Sequence, residues 1–186
     1  GAATRILGEA AQRVADEEQH YAFNRRFPYR PEDGAVATAR AIRKAFGMSV
    51  GRPLVTTFFG SNPPELRDVQ VSLTETEQAP FGQVELPGLD GMRIYIGAQR
   101  DAQQGVVFWL NAEGPRKHRH VVAGFFKLVE EELRTGSIYR GKAIDGQPQP
   151  NFLDLSGVDP ASVFYSEDVL MQLSANVWTP VEQADL

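Results

Sequence analysis

Five short β-prone runs, at residues 54–59, 69–73, 81–86, 92–96 and 106–110, follow one another with only Gly-, Pro-, Asn- and Asp-bearing connections between them. Bringing two strands side by side in parallel takes a crossover of a dozen or more residues, usually a helix. None of these gaps is that long. The runs therefore predict an antiparallel meander, which leaves the flanking segments to cover it.

The flanks read as helices. Over residues 4–24, Ile6, Leu7, Ala10, Ala11 and Val14 form one stripe with charge on the other faces. Phe27-Pro28-Tyr29-Arg30-Pro31 breaks that pattern. Asp33 then offers an N-cap for a second helix carrying Val36, Ala39, Ile42 and Phe46, with Gly47 as its stop. After the strands, Val121, Phe125, Val129 and Leu133 recur every fourth residue, predicting a third helix over 121–134 that Gly136 ends. The expected fold class is α+β: two N-terminal helices, an antiparallel meander of about five strands, and one helix packed on the sheet.

Charge suggests how the chain is divided. All 19 Lys and Arg lie between Arg5 and Lys142, whereas residues 145–186 hold seven acids and no Lys or Arg. The change falls at Asp145-Gly146-Gln147-Pro148-Gln149-Pro150, a composition typical of linkers. We read a body at 1–144, a linker at 145–150 and a tail at 151–186. The tail is rich in apolar residues, Phe152 to Trp178, which need a surface to cover. Self-association through that tail is one expectation.

Composition also excludes classes of chemistry. With no Cys there is no thiol nucleophile, disulfide scaffold or thiolate zinc site, and a reducing cytoplasm fits. No apolar run reaches the ~18 residues that would span a bilayer. A formal charge of −5 disfavours nucleic acid as a partner. The start Gly1-Ala2-Ala3, without Met, fits a processed or trimmed end.

Few side chains suggest a reaction. Gly136-Ser137-Ile138-Tyr139-Arg140-Gly141-Lys142-Ala143 comes close to the phosphate-binding pattern G-x-x-x-x-G-K-[ST]. Ala143 lacks the hydroxyl that would hold Mg²⁺, and a helix precedes the segment where a strand is required, so it reads as a basic turn. Arg116-Lys117-His118-Arg119-His120 is the densest basic run. It suggests an anion or acidic-partner site built on Arg116, Lys117 and Arg119, with Arg140 joining them. His118 and His120 could share a strand face as metal ligands, but two His without a third ligand make a weak site and the adjacent cations oppose a metal. We assign no metal site and no catalytic residue.

The tail carries a resemblance. Asn151-Phe152-Leu153-Asp154-Leu155-Ser156-Gly157-Val158 resembles the F-x-D-[IL]-x-G lead-in to the nucleotide-binding core of AAA ATPases, and Ser166 can cap a helix over 167–177 where that family has its first helix. Thr57-Phe58-Phe59-Gly60 with Pro63-Pro64, Arg140-Gly141-Lys142-Ala143-Ile144 and Ala175-Asn176-Val177-Trp178 are similar to stretches upstream of that core in actinobacterial and actinophage AAA proteins. The chain departs from the family in having Ser156-Gly157 where two glycines are usual, and in lacking Walker A, Walker B, the sensors and the arginine finger. The resemblance implies an N-terminal recognition or regulatory domain followed by the first strip of an ATPase module. Asp154, Leu155, Ser156 and Gly157 would contribute half of a nucleotide site. No cofactor is implied for this stretch itself, and ATP with Mg²⁺ for the full-length protein. The implied partner is a protein substrate or adaptor. The competing readings are a free-standing anion or small-ligand module using the four cations, and a metal-dependent enzyme using the two His with acids.

Overall fold

The computed structural model describes residues 1–47, 64–147 and 149–159. Residues Gly1–Leu153 form one compact unit and Asp154–Leu186 a second. The first unit runs α1 (Ala2–Glu18), β1 (His20–Phe27), α2 (Pro31–Phe46), β2 (Glu65–Gln70), β3 (Thr76–Glu85), β4 (Arg93–Asp101), β5 (Gly105–Pro115), a 3₁₀ turn (Arg116–His118) and α3 (Arg119–Gly136). The sheet order is β1-β5-β4-β3-β2, antiparallel throughout. This is the expected α+β class, with the meander running from β2 to β5.

The strands outgrow the apolar runs that announced them, because backbone pairing continues through the polar residues between and beyond them. In the β4–β5 hairpin the register runs from Arg93↔Glu113 to Asp101↔Gly105. Asp101 closes the turn by accepting hydrogen bonds from the Gln103 and Gln104 amides at 2.9 and 3.0 Å. Those two donors hold its carboxyl below the usual Asp range. The run at 54–59 and the helix expected at 167–177 lie outside the described residues.

Two expectations are corrected. The N-terminal helix stops at Glu18 rather than continuing to residue 24, and His20–Phe27 is a strand at the sheet edge. Tyr21, Phe23, Arg25 and Phe27 alternate toward the helices, so each finds a surface that a continued helix would have denied it. Phe23 meets Phe126 of α3 with ring centroids 4.9 Å apart, and Phe27 stacks on Phe108 at 5.4 Å. Arg25 pairs with Glu130 of α3. The second helix begins at Pro31, with Arg30 at the N-cap, so Asp33 is inside the first turn and not its cap. Proline is suited to that first position, where its missing N–H has no partner to lose. Gly47 does terminate the helix, in a left-handed conformation with φ 66°.

Both long packing helices lie on one face of the sheet. Val84, Ile94, Ile96, Phe108, Leu110 and Ala112 point to that face, against Val36, Ala39 and Ile42 of α2 and Val122, Phe126 and Val129 of α3, all nearly fully buried. Along β3 the buried positions shift phase, from Ala79 and Phe81 to Val84. The shift falls at Gly82, where β3 passes from pairing with β2 to pairing with β4 and whose φ of 106° favours glycine. α2 comes so close to β5 that a Cβ on Gly34 would sit 1.9 Å from the Phe108 ring.

Polar pins complete the core. Arg40 of α2 forks onto Glu77 of β3, with Nε to Oε2 at 3.2 Å and Nη2 to Oε1 at 2.7 Å, and donates from Nη1 to the Gly136 carbonyl at the end of α3. Asp33, 3 % exposed, accepts from the Ser137 hydroxyl and from the Ile138 amide at 3.0 Å. It thereby fixes the chain as it leaves α3. Buried Glu132 of α3 pairs with Lys44 of α2.

The segment 145–150 closes back on itself inside the first unit. Ile144 bridges to Phe152, the Leu153 amide donates to the Ala143 carbonyl at 2.9 Å, and Asp145 accepts from both the backbone amide and the side chain of Asn151. Phe152, 8 % exposed, stacks on Tyr139 at 5.8 Å.

Two outcomes follow from this core. Gly34→Ala forces its methyl into Phe108 and is expected to destabilise the protein by about 1–3 kcal/mol, as overpacking does; a denaturation midpoint unchanged from the parent would contradict the close approach. Burial raises the Asp33 pKa above its ordinary 3.8, opposed by the bonds from Ser137 and Ile138. The native state thus holds this proton to higher pH than the unfolded chain. The stabilisation from Asp33 is full below the ordinary value and is lost as pH rises through the native one. Urea midpoints measured from pH 3.5 upward should show a decline that Asp33→Asn flattens; equal slopes in the two proteins would remove Asp33 as the cause.

Candidate functional site

With α2 and α3 both on one side, the described residues leave the other side of the sheet open at its centre. β4 and β5 direct Arg93, Tyr95, Trp109, Asn111 and Glu113 outward, and β3 adds Gln83. The register sets Tyr95 opposite Asn111, Gln83 opposite Tyr95, and Arg93 opposite Glu113. Together these six residues line an open depression of about 390 Å³. At its centre Tyr95 and Trp109 lie 5.7 Å apart at 56°, an edge-tilted pair on diagonal positions of neighbouring strands. Tyr95 leaves 45 % of its surface in water. Gly97, opposite Trp109, leaves room for the Tyr95 ring, which passes 3.3 Å from where a Cβ would be. Asn111 donates to Glu113 at 3.3 Å, so the rim is a set of planar hydrogen-bonding groups close to charge balance.

Tyr95 is shared with a second depression, at the start of α2, lined also by Glu32, Glu65, Arg67, Phe81, Gly97 and Val106. Arg67 lies over the Phe81 ring at 4.4 Å and pairs with Glu65 at 2.8 Å. Glu32 is the unusual group here. Its Oε2 is shut off from solvent and accepts no hydrogen bond. Buried polar atoms are nearly always partnered, so one that is not marks a place where a donor is missing. Close by, Tyr139 has its hydroxyl pushed up to about 12, by burial first and then by the charges of Glu32 and Asp33. Glu32 also lines two further depressions, one with Tyr29, Arg30 and Val106 and one with Arg67, Tyr139 and Asn151.

The cations proposed from sequence are not one cluster. Arg116 and Lys117 occupy the 3₁₀ turn and Arg119 starts α3, while Arg140 lies past the other end of that helix. At 1.5 Å rise per residue the two groups are separated by roughly 25 Å. Arg140 donates to the Arg134 carbonyl at 2.6 Å, capping α3. Lys117 pairs with Glu18 and Arg119 with Glu17, both of α1, so the acidic complement of this basic run lies within the chain. His118 Nε2 meets the Asp90 carbonyl at 3.1 Å, and His120 is exposed. Among the described residues no three His, Asp or Glu converge as metal ligands, and no helix is long and apolar enough to cross a membrane.

Asp154, Leu155, Ser156 and Gly157 belong to the second unit and are exposed. Asp154 Oδ1 accepts from the Ser156 amide at 2.9 Å, and the Val158 amide donates to the Leu155 carbonyl at 3.0 Å, a tight turn. Bonding to Ser156 holds the Asp154 carboxyl below the usual range. Ala175, Asn176, Val177 and Trp178 lie outside the described residues, as do Thr57, Phe58, Phe59, Gly60 and Pro63.

Compared with known proteins, the chain matches no family model, no curated protein and no solved structure. The open sheet face and Glu32 were not legible beforehand. Tyr95 and Trp109 sit inside strand-forming runs, and the runs alone do not say which face the helices cover.

The near-Walker segment follows helix α3, and Ser137 within it is spent on Asp33. No phosphate release above buffer is expected when this chain is incubated with ATP and Mg²⁺. A steady rate abolished by Lys142→Ala would reinstate the segment as a phosphate loop.

Proposed function

We propose that the first unit is a recognition domain that holds a protein segment against the open face of its sheet, and that it serves an AAA ATPase as the N-terminal domain for a protein substrate or adaptor. One observation carries the reading: a five-stranded sheet whose two packing helices share one face, leaving Tyr95 exposed beside half-buried Trp109 at the centre of the other. Large aromatic rings ringed by planar polar groups are the composition of binding hot spots. The near-neutral rim, Arg93 against Glu113 with Gln83 and Asn111, suits an uncharged backbone better than a phosphate chain. The AAA part of the proposal rests on the lead-in at 151–158 and on the separation of Asp154–Leu186 as its own unit. ATP and Mg²⁺ would bind the full-length protein, with Asp154 to Gly157 against the base. The anion-module alternative is weaker, since Lys117 and Arg119 already have carboxylate partners.

Trp109 is itself the reporter. Titrating the chain with a library of unstructured peptides should shift Trp109 emission for a subset of them. For that subset Tyr95→Ala should weaken binding about tenfold or more, the usual cost of losing a hot-spot aromatic. If peptides bind but Tyr95→Ala does not matter, the open face is not the recognition surface.

A further inference from the structure

α1 is a seventeen-residue helix with no buried residue. Ile6, Leu7 and Val14 are 57 %, 70 % and 64 % exposed. Together with Ala3 and Ala10 they lie on one side of the helix, and Ala3, Leu7, Ala10 and Val14 repeat at the alternating four- and three-residue spacing of a coiled-coil seam. Among the described residues the helix is held at its C-terminal end, by Glu17 to Arg119, Glu18 to Lys117 and the Arg116 amide to the Gln19 carbonyl at 2.9 Å. A helix of this length with Gly8 in its interior is marginal alone in water. Its stripe therefore needs a cover.

Charge along the helix selects the cover. The first turn has no acid and the last has no base, while Asp16, Glu17 and Glu18 crowd the C-terminal end and Arg5 sits near the other. That polarity opposes the helix's own dipole. A parallel neighbour of the same sequence would bring the acidic ends together. An antiparallel one lays Asp16 of each copy beside the partner's Arg5, and opposes the two dipoles. The stripe is self-complementary in that direction, with Leu7 facing the partner's Val14 and the small Ala10 near the two-fold axis, where backbones come closest. With two Arg against four acids, α1 is a poor fit for an anionic lipid surface. We infer that α1 is a homodimerisation helix, pairing antiparallel with α1 of a second copy of this chain. The contact is isologous, so it closes at two copies. Three large apolar side chains per copy make it a small interface, dissociating in the micromolar range rather than below it.

The test uses the whole chain, which has no Cys of its own. Sedimentation velocity from about 1 to 200 µM should show monomer passing to dimer, a range set by the small interface. Leu7→Glu should weaken association at least about tenfold, and Arg5→Glu should weaken it less, with Asp16→Arg added to Arg5→Glu restoring it. Circular dichroism of Leu7→Glu should retain the sheet signal, since α1 contributes nothing to the core. Orientation is read by oxidative cross-linking: Ala10→Cys should link to itself efficiently and Ala3→Cys should not. A chain that stays monomeric throughout, or a dimer indifferent to Leu7→Glu, would overturn the inference and leave α1 for a different protein or the dimer for a different surface. Equal self-linking at both positions would overturn the antiparallel direction.

Discussion

Phe108 lies against bare backbone at Gly34, and most of the first unit is arranged around that contact. Any side chain at Gly34 would hold α2 away from β5 and open a gap beneath it. With hydrogen there, the helix settles into the sheet, and Ala35, Val36, Ala39 and Ile42 are almost wholly removed from water. Protein interiors tolerate few voids, so a helix seated this closely fixes what its neighbours can be. Phe27 stacks on the free side of Phe108 and brings β1 into register, while α3 fills the groove beside α2.

Apolar packing alone would let these layers slide. Arg40, Asp33 and Glu132 prevent it by making bonds with fixed directions between elements far apart in the chain. Arg40 joins α2 to β3 and to the last carbonyl of α3, Asp33 joins α2 to the residues after α3, and Glu132 joins α3 to Lys44. Each would be costly unpaired at its depth, so each specifies its partner as well as stabilising it.

The same packing leaves two surfaces unserved. Because both helices choose one face, the other keeps Tyr95 in water beside half-buried Trp109; because the described residues tether α1 through its last turn, its apolar stripe is also bare. The two surfaces differ in kind. The sheet face is a shallow depression rimmed by hydrogen-bonding groups, suited to an extended polypeptide. The helix is narrow, apolar and charged at its ends in the opposite sense to its dipole, suited to its own copy. A dimer built on α1 would present two sheet faces, which raises the effective concentration for any partner with two sites.

What the sequence determined by itself is the local grammar. Connections too short for crossovers required antiparallel strands, Val121 to Leu133 required α3, and Gly47 ended α2. These rest on interactions within a few residues, which a single chain displays. Tertiary structure decided the rest. His20–Phe27 became a strand because β5 offered a ladder ninety residues away, and no local pattern announces a distant partner. Asp33 moved from cap to buried anchor because Ser137 and Ile138 arrived beside it. Tyr95 and Trp109 fell inside runs read only as strands, because an aromatic in a strand is apolar on either face. Which face is wet depends on where the helices pack, and that is a property of the assembled layers, not of any one of them.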